Sequence, residues 1–199
     1  MKFIAISQRL IANESYYEER ECLALDWGKF FKENLQGFLP IPLSYELEFE
    51  KYQSLVSAVI LSGGNDLYLL NKNDLSKKRD NYEKDIIKIC IRENIPLLGI
   101  CRGAQMIASF FDSTFIMSKN HIKEHKIYLD DKKICVNSFH NFCINKLGDD
   151  LESLAFAEDK TIEAFKHKQF KIYATMWHIE REKGLSERSI FYNWLKEIK

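Results

Sequence analysis

The stretch Ile95-Pro-Leu-Leu-Gly-Ile-Cys-Arg-Gly-Ala-Gln-Met-Ile-Ala108 constrains this chain more than any other. Its first half is a short apolar run that reads as a buried strand, and its second half opens a helix. Between them, Gly99 and Gly103 flank Cys101. A chain that passes straight from strand to helix must reverse sharply, and large side chains beside the apex would collide. The small-x-Cys-x-small pattern therefore pushes Cys101 out at the carboxyl end of a strand. The following helix presents its N-terminus to the sulfur, which favours the thiolate, and the Arg102 amide can donate to an oxyanion beside it. A cysteine seen alone would read as buried and structural; the two glycines at this junction favour a nucleophile.

The rest of the chain alternates in the rhythm of an α/β domain with a mostly parallel central sheet flanked by helices. Residues 2–6, 38–41, 58–61, 96–100 and 172–176 are the strand candidates. Residues 18–34 and 81–92 read as helices, the second because Tyr82, Ile86, Ile87, Cys90 and Ile91 fall on one face. Ile190, Phe191, Trp194, Leu195 and Ile198 predict a closing helix packed on the sheet. Between about residues 114 and 165 shorter β-like pieces (126–129, 133–136, 152–157 and 161–165) are separated by Asp-Asp and Gly-Asp turns. At 199 residues and 46% hydrophobic side chains, one core and one domain spanning 1–199 are expected.

Lys+Arg 29 balance Asp+Glu 29, so nothing favours nucleic acid or an anionic membrane as partner, and any anionic ligand has to be held locally. The apolar run at Met1–Ile6 is too brief for a secretory h-region, and no stretch approaches the roughly 18 apolar residues of a spanning helix. A cytoplasmic location is expected. The five cysteines are odd in number and form no CxxC pair, which argues against a disulfide framework or a zinc ribbon.

A nucleophilic cysteine needs a base and something to orient it. Ala174-Thr-Met-Trp-His-Ile-Glu180 supplies both, because alternate residues of an extended segment point the same way. Glu180 can fix the His178 imidazole and stabilise its charged form while the other nitrogen serves the thiol. Three further segments carry polar or glycine signals. Val59-Ile-Leu-Ser-Gly-Gly-Asn-Asp66 ends a strand in Gly63 and Gly64, and the Gly64 amide is the candidate second oxyanion donor; a simple turn fits the same residues. Asp80 and Glu83 read as a capping box at a helix start. Asn137-Ser-Phe-His-Asn141, following a strand, suits recognition of an amino acid's charged ends.

In this order the Gly-Gly-Asn-Asp loop, Arg79-Asp80-x-x-Glu83, Gly99-x-Cys101-Arg102-Gly103-x-Gln105, Asn137-Ser138-x-His140 and Trp177-His178-x-Glu180 resemble the gamma-glutamyl hydrolase branch of the class I glutamine amidotransferases. The resemblance implies a single flavodoxin-like domain and a triad of Cys101, His178 and Glu180, with the amides of Gly64 and Arg102 as oxyanion hole. It implies that Gly63, Gln105, Asn137, Ser138, Phe139 and His140 hold the glutamyl moiety, and that no metal or organic cofactor is needed. Ile179 stands where the family usually has Pro, Asn141 where a second His is frequent, and Ser109-Phe-Phe-Asp112 where a Gly-Gly turn is usual, which suggests an altered acceptor side of the pocket.

The composition and the Trp-His-Ile-Glu-Arg-Glu segment resemble most the bacterial members of that branch that act on a cytidine nucleotide conjugate in capsule biosynthesis. The expected partner is therefore a small-molecule gamma-glutamyl substrate. Arg102, Lys119, Lys123 and Arg181 are candidate neighbours for a diphosphate. Three other readings stand beside this one. They are a glutaminase subunit feeding ammonia to a separate synthetase, a hydrolase of polyamine or folate conjugates, and a redox-sensing module that uses Cys101 as an oxidisable thiol.

Overall fold

Five parallel strands form the centre of the computed structural model, which describes residues 1–198. They are β1 (Lys2–Ile6), β4 (Phe38–Pro42), β5 (Val56–Leu61), β6 (Leu97–Ile100) and β13 (Ile172–Thr175), in the order β4-β1-β5-β6-β13. The sheet continues antiparallel through β12 (Ile162–His167), β11 (Leu151–Ala157), β8 (His125–Leu129) and β9 (Lys132–Val136); β10 (Phe142–Lys146) pairs with β12 and with β7 (Thr114–Met117). A separate hairpin joins β2 (Arg9–Ala12) and β3 (Glu19–Cys22). The short β-like pieces expected between residues 114 and 165 thus become an antiparallel extension of the parallel centre.

Alternation along the strands divides the core in two. Ala5, Val59, Leu61 and Leu97 face α3 (Asp74–Arg92) and α4 (Arg102–Phe110) through Ile86, Ile87, Met106 and Ile107. Ile4, Ile6, Ala58, Ile60, Leu98 and Ile100 face α1 (Leu25–Asn34) and α5 (Ser189–Lys196) through Phe30, Phe31, Phe191 and Trp194. Parallel strands buried on both faces read as unbroken apolar runs, as the sequence of β5 and β6 does. A single-turn helix, α2 (Glu50–Gln53), buries nothing and only links β4 to β5. No helix among the described residues is long and apolar enough to cross a membrane.

Two expected helix starts move. The segment read as one helix from residue 18 is strand β3 followed by α1 from Leu25. The helix expected from residue 81 begins about two turns earlier, at Asp74, because Asn73 caps it: its side chain accepts from the Ser76 amide at 2.9 Å. Asp80 and Glu83 therefore sit inside the helix, and the capping-box reading is overturned.

Candidate active site

Cys101 occupies the turn between β6 and α4 with φ 52° and ψ −105°, in the left half of backbone space that an L-residue occupies only when its surroundings force it. Its amide donates to the Thr175 carbonyl at 2.8 Å and its own carbonyl accepts from the Gln105 amide at 3.0 Å, so the apex is tied to β13 and to the first turn of α4. The flanking glycines are needed for space. A Cβ on Gly103 would lie 2.0 Å from the Leu61 carbonyl oxygen, and one on Gly99 would lie 2.8 Å from the Ala104 nitrogen.

Residues 176–180 leave β13 at its carboxyl end, past the strand's last residue Thr175, and carry His178 and Glu180 back over Cys101. His178 Nδ1 and Glu180 Oε1 are 2.6 Å apart, and both side chains are buried. Asn137 clamps the same segment: its Oδ1 accepts from the His178 amide at 2.9 Å, and its Nδ2 donates to the carbonyls of His178 and Glu182, each at 2.9 Å. The Phe139 ring stands edge-to-face on the imidazole with centroids 5.5 Å apart, and the Arg181 guanidinium lies 4.4 Å from the centroid of that ring.

Burial alone would raise the Cys101 thiol, but the charge of His178 and its hydrogen bond to the sulfur outweigh it and hold the thiol below its ordinary range. Burial pushes the His178 imidazole down, yet the charge and hydrogen bond of Cys101 and those of Glu180 more than offset it, and its pKa rises to about 9. A thiolate–imidazolium pair, oriented by a carboxylate, is what these opposed shifts describe, and such a pair can attack a carbonyl and then protonate a departing nitrogen.

The loop after β5 closes the other side. Gly64 has φ 98°, which suits glycine, and no backbone carbonyl accepts from the amides of Gly64 or Arg102 among the described residues. This loop is held from below by charges that the sequence reading assigned elsewhere. Arg79, fully buried, donates to the Ser62 carbonyl at 2.8 Å and to the Gly63 carbonyl at 3.1 Å, and its Nε is 2.9 Å from Glu83 Oε1. Glu83 also accepts from Ser7 Oγ at 2.8 Å and from the Arg102 guanidinium, which pairs with Asp80 as well. The spacing Arg79, Asp80, Glu83 on one helical turn was the available signal; its burial against Arg102, nineteen residues beyond Glu83, was not readable.

Several expected contacts change role. The Arg102 side chain is locked between Asp80 and Glu83 and is unavailable to a phosphate, although its amide remains at the elbow. Asn137 is a clamp on the His178 segment, and Ser138 Oγ donates to the His121 carbonyl, so neither side chain is free for a ligand. Gly63 lies against His178: a Cβ there would be 2.7 Å from Cε1. Gln105, Phe139 and His140 do line an open cleft of about 360 Å³ with Cys101 and His178, and Gln105 Nε2 also donates to the Phe142 carbonyl at 2.8 Å. Arg9 and Arg181 border this cleft and an adjoining one of about 270 Å³ lined by Ile11, Leu23 and Trp27. Lys119 and Lys123 border neither. Arg9 escaped the sequence reading, because nothing local marks a hairpin residue that folds over Gly64.

The glutamine amidotransferase class-I family profile matches residues 40–198. The chain belongs to the class I glutamine amidotransferase family. With it, the chain belongs to the hydrolases of carbon–nitrogen amide bonds. It is 58% identical over 198 residues to the gamma-glutamyl-CDP-amidate hydrolase of Campylobacter jejuni subsp. jejuni serotype O:2, covering 99% of each chain. It is 32% identical over 135 residues to the glutamine-hydrolysing subunit of GMP synthase from Methanococcus vannielii, covering 63% of this chain and 65% of that one. In fold it is similar to a putative GMP synthase subunit of Thermoplasma acidophilum, with a TM-score of 0.75 at 22% identity over 100% of this chain and 94% of that one. A glutamine amidotransferase of Thermotoga maritima superposes with a TM-score of 0.68 at 19% identity, over 98% and 84% of the two chains.

Proposed function

We propose that the protein hydrolyses gamma-glutamyl-CDP-amidate to L-glutamate and cytidine diphosphoramidate, a step of capsular polysaccharide modification. The observation that carries this reading is the 58% identity, end to end, with a hydrolase of that name. The reading treats residues 1–199 as one hydrolase domain and puts it in the cytoplasm, where the unpaired thiols stay reduced.

The Cys101 thiolate attacks the gamma-carbonyl carbon, and the oxyanion that forms accepts from the amides of Gly64 and Arg102. As the tetrahedral species collapses, the C–N bond breaks and the His178 imidazolium gives its proton to the departing nitrogen. The neutral imidazole then takes a proton from water, hydroxide adds to the glutamyl thioester, and the C–S bond breaks to release glutamate and the thiolate. Glu180 keeps Nδ1 occupied throughout, so the other nitrogen faces the reacting atoms. Gln105, Phe139 and His140 border the glutamyl side, while Arg9 and Arg181 supply local positive charge for a diphosphate in a chain of zero net charge.

The test is glutamate release by the purified protein and by Cys101→Ala, from gamma-glutamyl-CDP-amidate beside glutamine and gamma-glutamyl-aminobutyrate. Fast, Cys101-dependent turnover of the nucleotide substrate is expected. Turnover confined to another gamma-glutamyl amide would keep the mechanism and discard this substrate. Glutamine hydrolysis that appears only with an added synthetase would replace the reading by a glutaminase subunit, and no Cys101-dependent release at all would leave a thiol-based sensor.

A further inference from the structure

Three of the five histidines in this chain converge on one carboxylate that the hydrolytic mechanism does not use. Glu163, on β12, is fully buried. Its Oε1 lies 3.0 Å from His121 Nδ1, 3.3 Å from His125 Nε2 and 3.6 Å from His140 Nε2. His121 comes from a 3-10 turn (Lys119–His121), His125 from the start of β8, and His140 from the loop after β9, so three separate segments meet there.

Each imidazole is fixed from behind. The outer nitrogen of His121 is 2.8 Å from Asp159 Oδ2, and Asp159 is itself held by Thr161 Oγ1 at 2.7 Å. The outer nitrogen of His125 faces the Lys123 carbonyl at 3.4 Å, and that of His140 faces Cys143 Sγ at 3.8 Å. Occupying one ring nitrogen with a carboxylate or carbonyl and aiming the other inward is how proteins orient histidines that bind metal. On the inward side the groups are under-used: His125 Nε2, His140 Nε2 and Glu163 Oε2 are buried without a hydrogen-bond partner, and His140 is 4% exposed. A buried polar atom left unpaired is costly, and here three of them face one point.

Spacing and chemistry agree with a cation. The donor atoms of His121, His125 and Glu163 lie within 4.8 Å of one another. Tetrahedral zinc, with bonds of about 2.0–2.1 Å to nitrogen, needs donors roughly 3.4 Å apart, close to the separations found. Imidazole and carboxylate together suit zinc and its first-row neighbours, and four protein donors with no open position suit a structural ion. We propose that His121, His125, His140 and Glu163 form a structural divalent transition-metal site, with zinc as the fitting ion. This adds a metal outside the reaction to a chain whose chemistry needs none. Its consequence is mechanical. The ion would pin the loop carrying Phe139 and His140, which border the Cys101 cleft, to β12, whose Glu163 carbonyl accepts from the Met176 amide at 2.7 Å beside the His178 segment.

The test uses the full-length Cys101→Ala protein, so that the active-site thiol takes no metal and the result is independent of the substrate reading. After EDTA treatment the protein is titrated with Co²⁺ at pH 7.5, followed by visible absorption, and Zn²⁺ is then added as competitor. One Co²⁺ per chain with intense tetrahedral absorption, displaced by Zn²⁺ with a rise in Tm, is expected. His125→Ala in the same background should weaken binding by about 100-fold, and Asp159→Asn, which loses only the support behind His121, by about 10-fold. The second variant serves if the first does not fold by circular dichroism. His178→Ala in this background should bind like its parent. No stoichiometric binding, which would leave the imidazoles held to Glu163 by protons alone, would overturn the proposal. So would binding unchanged in both cluster variants, or binding lost in His178→Ala.

Discussion

Gly63→Ala adds one methyl group at the tightest approach between the loop after β5 and the imidazole. The new Cβ would lie 2.7 Å from His178 Cε1, where ordinary contact begins at 3.4 Å, so something has to give by about 0.7 Å. The ring has little freedom to yield. Glu180 holds its Nδ1 at 2.6 Å, Phe139 stands on its face, and Asn137 ties its backbone on both sides. The Gly63 carbonyl is in turn held by Arg79 at 3.1 Å. A displacement approaching 1 Å at a catalytic group costs on the order of 100-fold in rate, so a loss of roughly 30- to 100-fold in kcat is expected. Because one methyl beside an open cleft disturbs little of either core, Tm should stay near the parent value. Gly28→Ala, where an added Cβ meets nothing within 4 Å, is the matched control and should retain full activity. The assay is steady-state glutamate release, with near-ultraviolet circular dichroism to check packing. If Gly63→Ala turns over at the parental rate, the close approach of this loop to His178 is no part of the working geometry.

The alkaline side of the pH profile follows from the imidazolium. With the His178 pKa raised to about 9, the proton needed by the leaving nitrogen is present below that pH and lost above it, so kcat/KM should fall as pH rises through about 9. Part of that elevation comes from Glu180; Glu180→Gln should therefore move the alkaline limb to lower pH, and an unmoved limb would remove Glu180 from its orienting role. The acid limb should lie below the ordinary thiol range, because His178 holds the Cys101 thiol down, and the pH dependence of iodoacetamide alkylation reads it directly. Glu83→Gln leaves the buried guanidiniums of Arg79 and Arg102 facing Asp80 as their one remaining carboxylate, and should destabilise the fold by about 3–5 kcal/mol in urea denaturation followed by tryptophan fluorescence. A loss below about 1 kcal/mol, the size of an exposed pair, would show that the network relaxes by admitting water.

The parallel centre of the sheet was legible because its strands are short, apolar and buried on both faces, and because Gly99 and Gly103 announce the sharp turn by which one of them enters a helix. The placement of His178 and Glu180 two residues apart was also readable, since local spacing alone allows the carboxylate to reach the imidazole. The antiparallel half was harder. Its pieces are short and half-exposed, and neither period nor turn residues say that β10 pairs with β7 and β12 while β8 finds β11.

Local sequence by itself determined the elbow, the nucleophile it carries and the residues able to activate it, because each rests on interactions within a few positions along the chain. Only the tertiary structure decided how Arg79, Asp80, Glu83 and Arg102 share charge beneath the Gly63 loop, that Asn137 clamps the His178 segment instead of reaching a ligand, and that His121, His125 and His140 meet on Glu163. Those groupings join residues 19 to 42 positions apart. Folding sets such distances through the packing of whole elements, and a buried charge must then find whatever opposite partner that packing delivers.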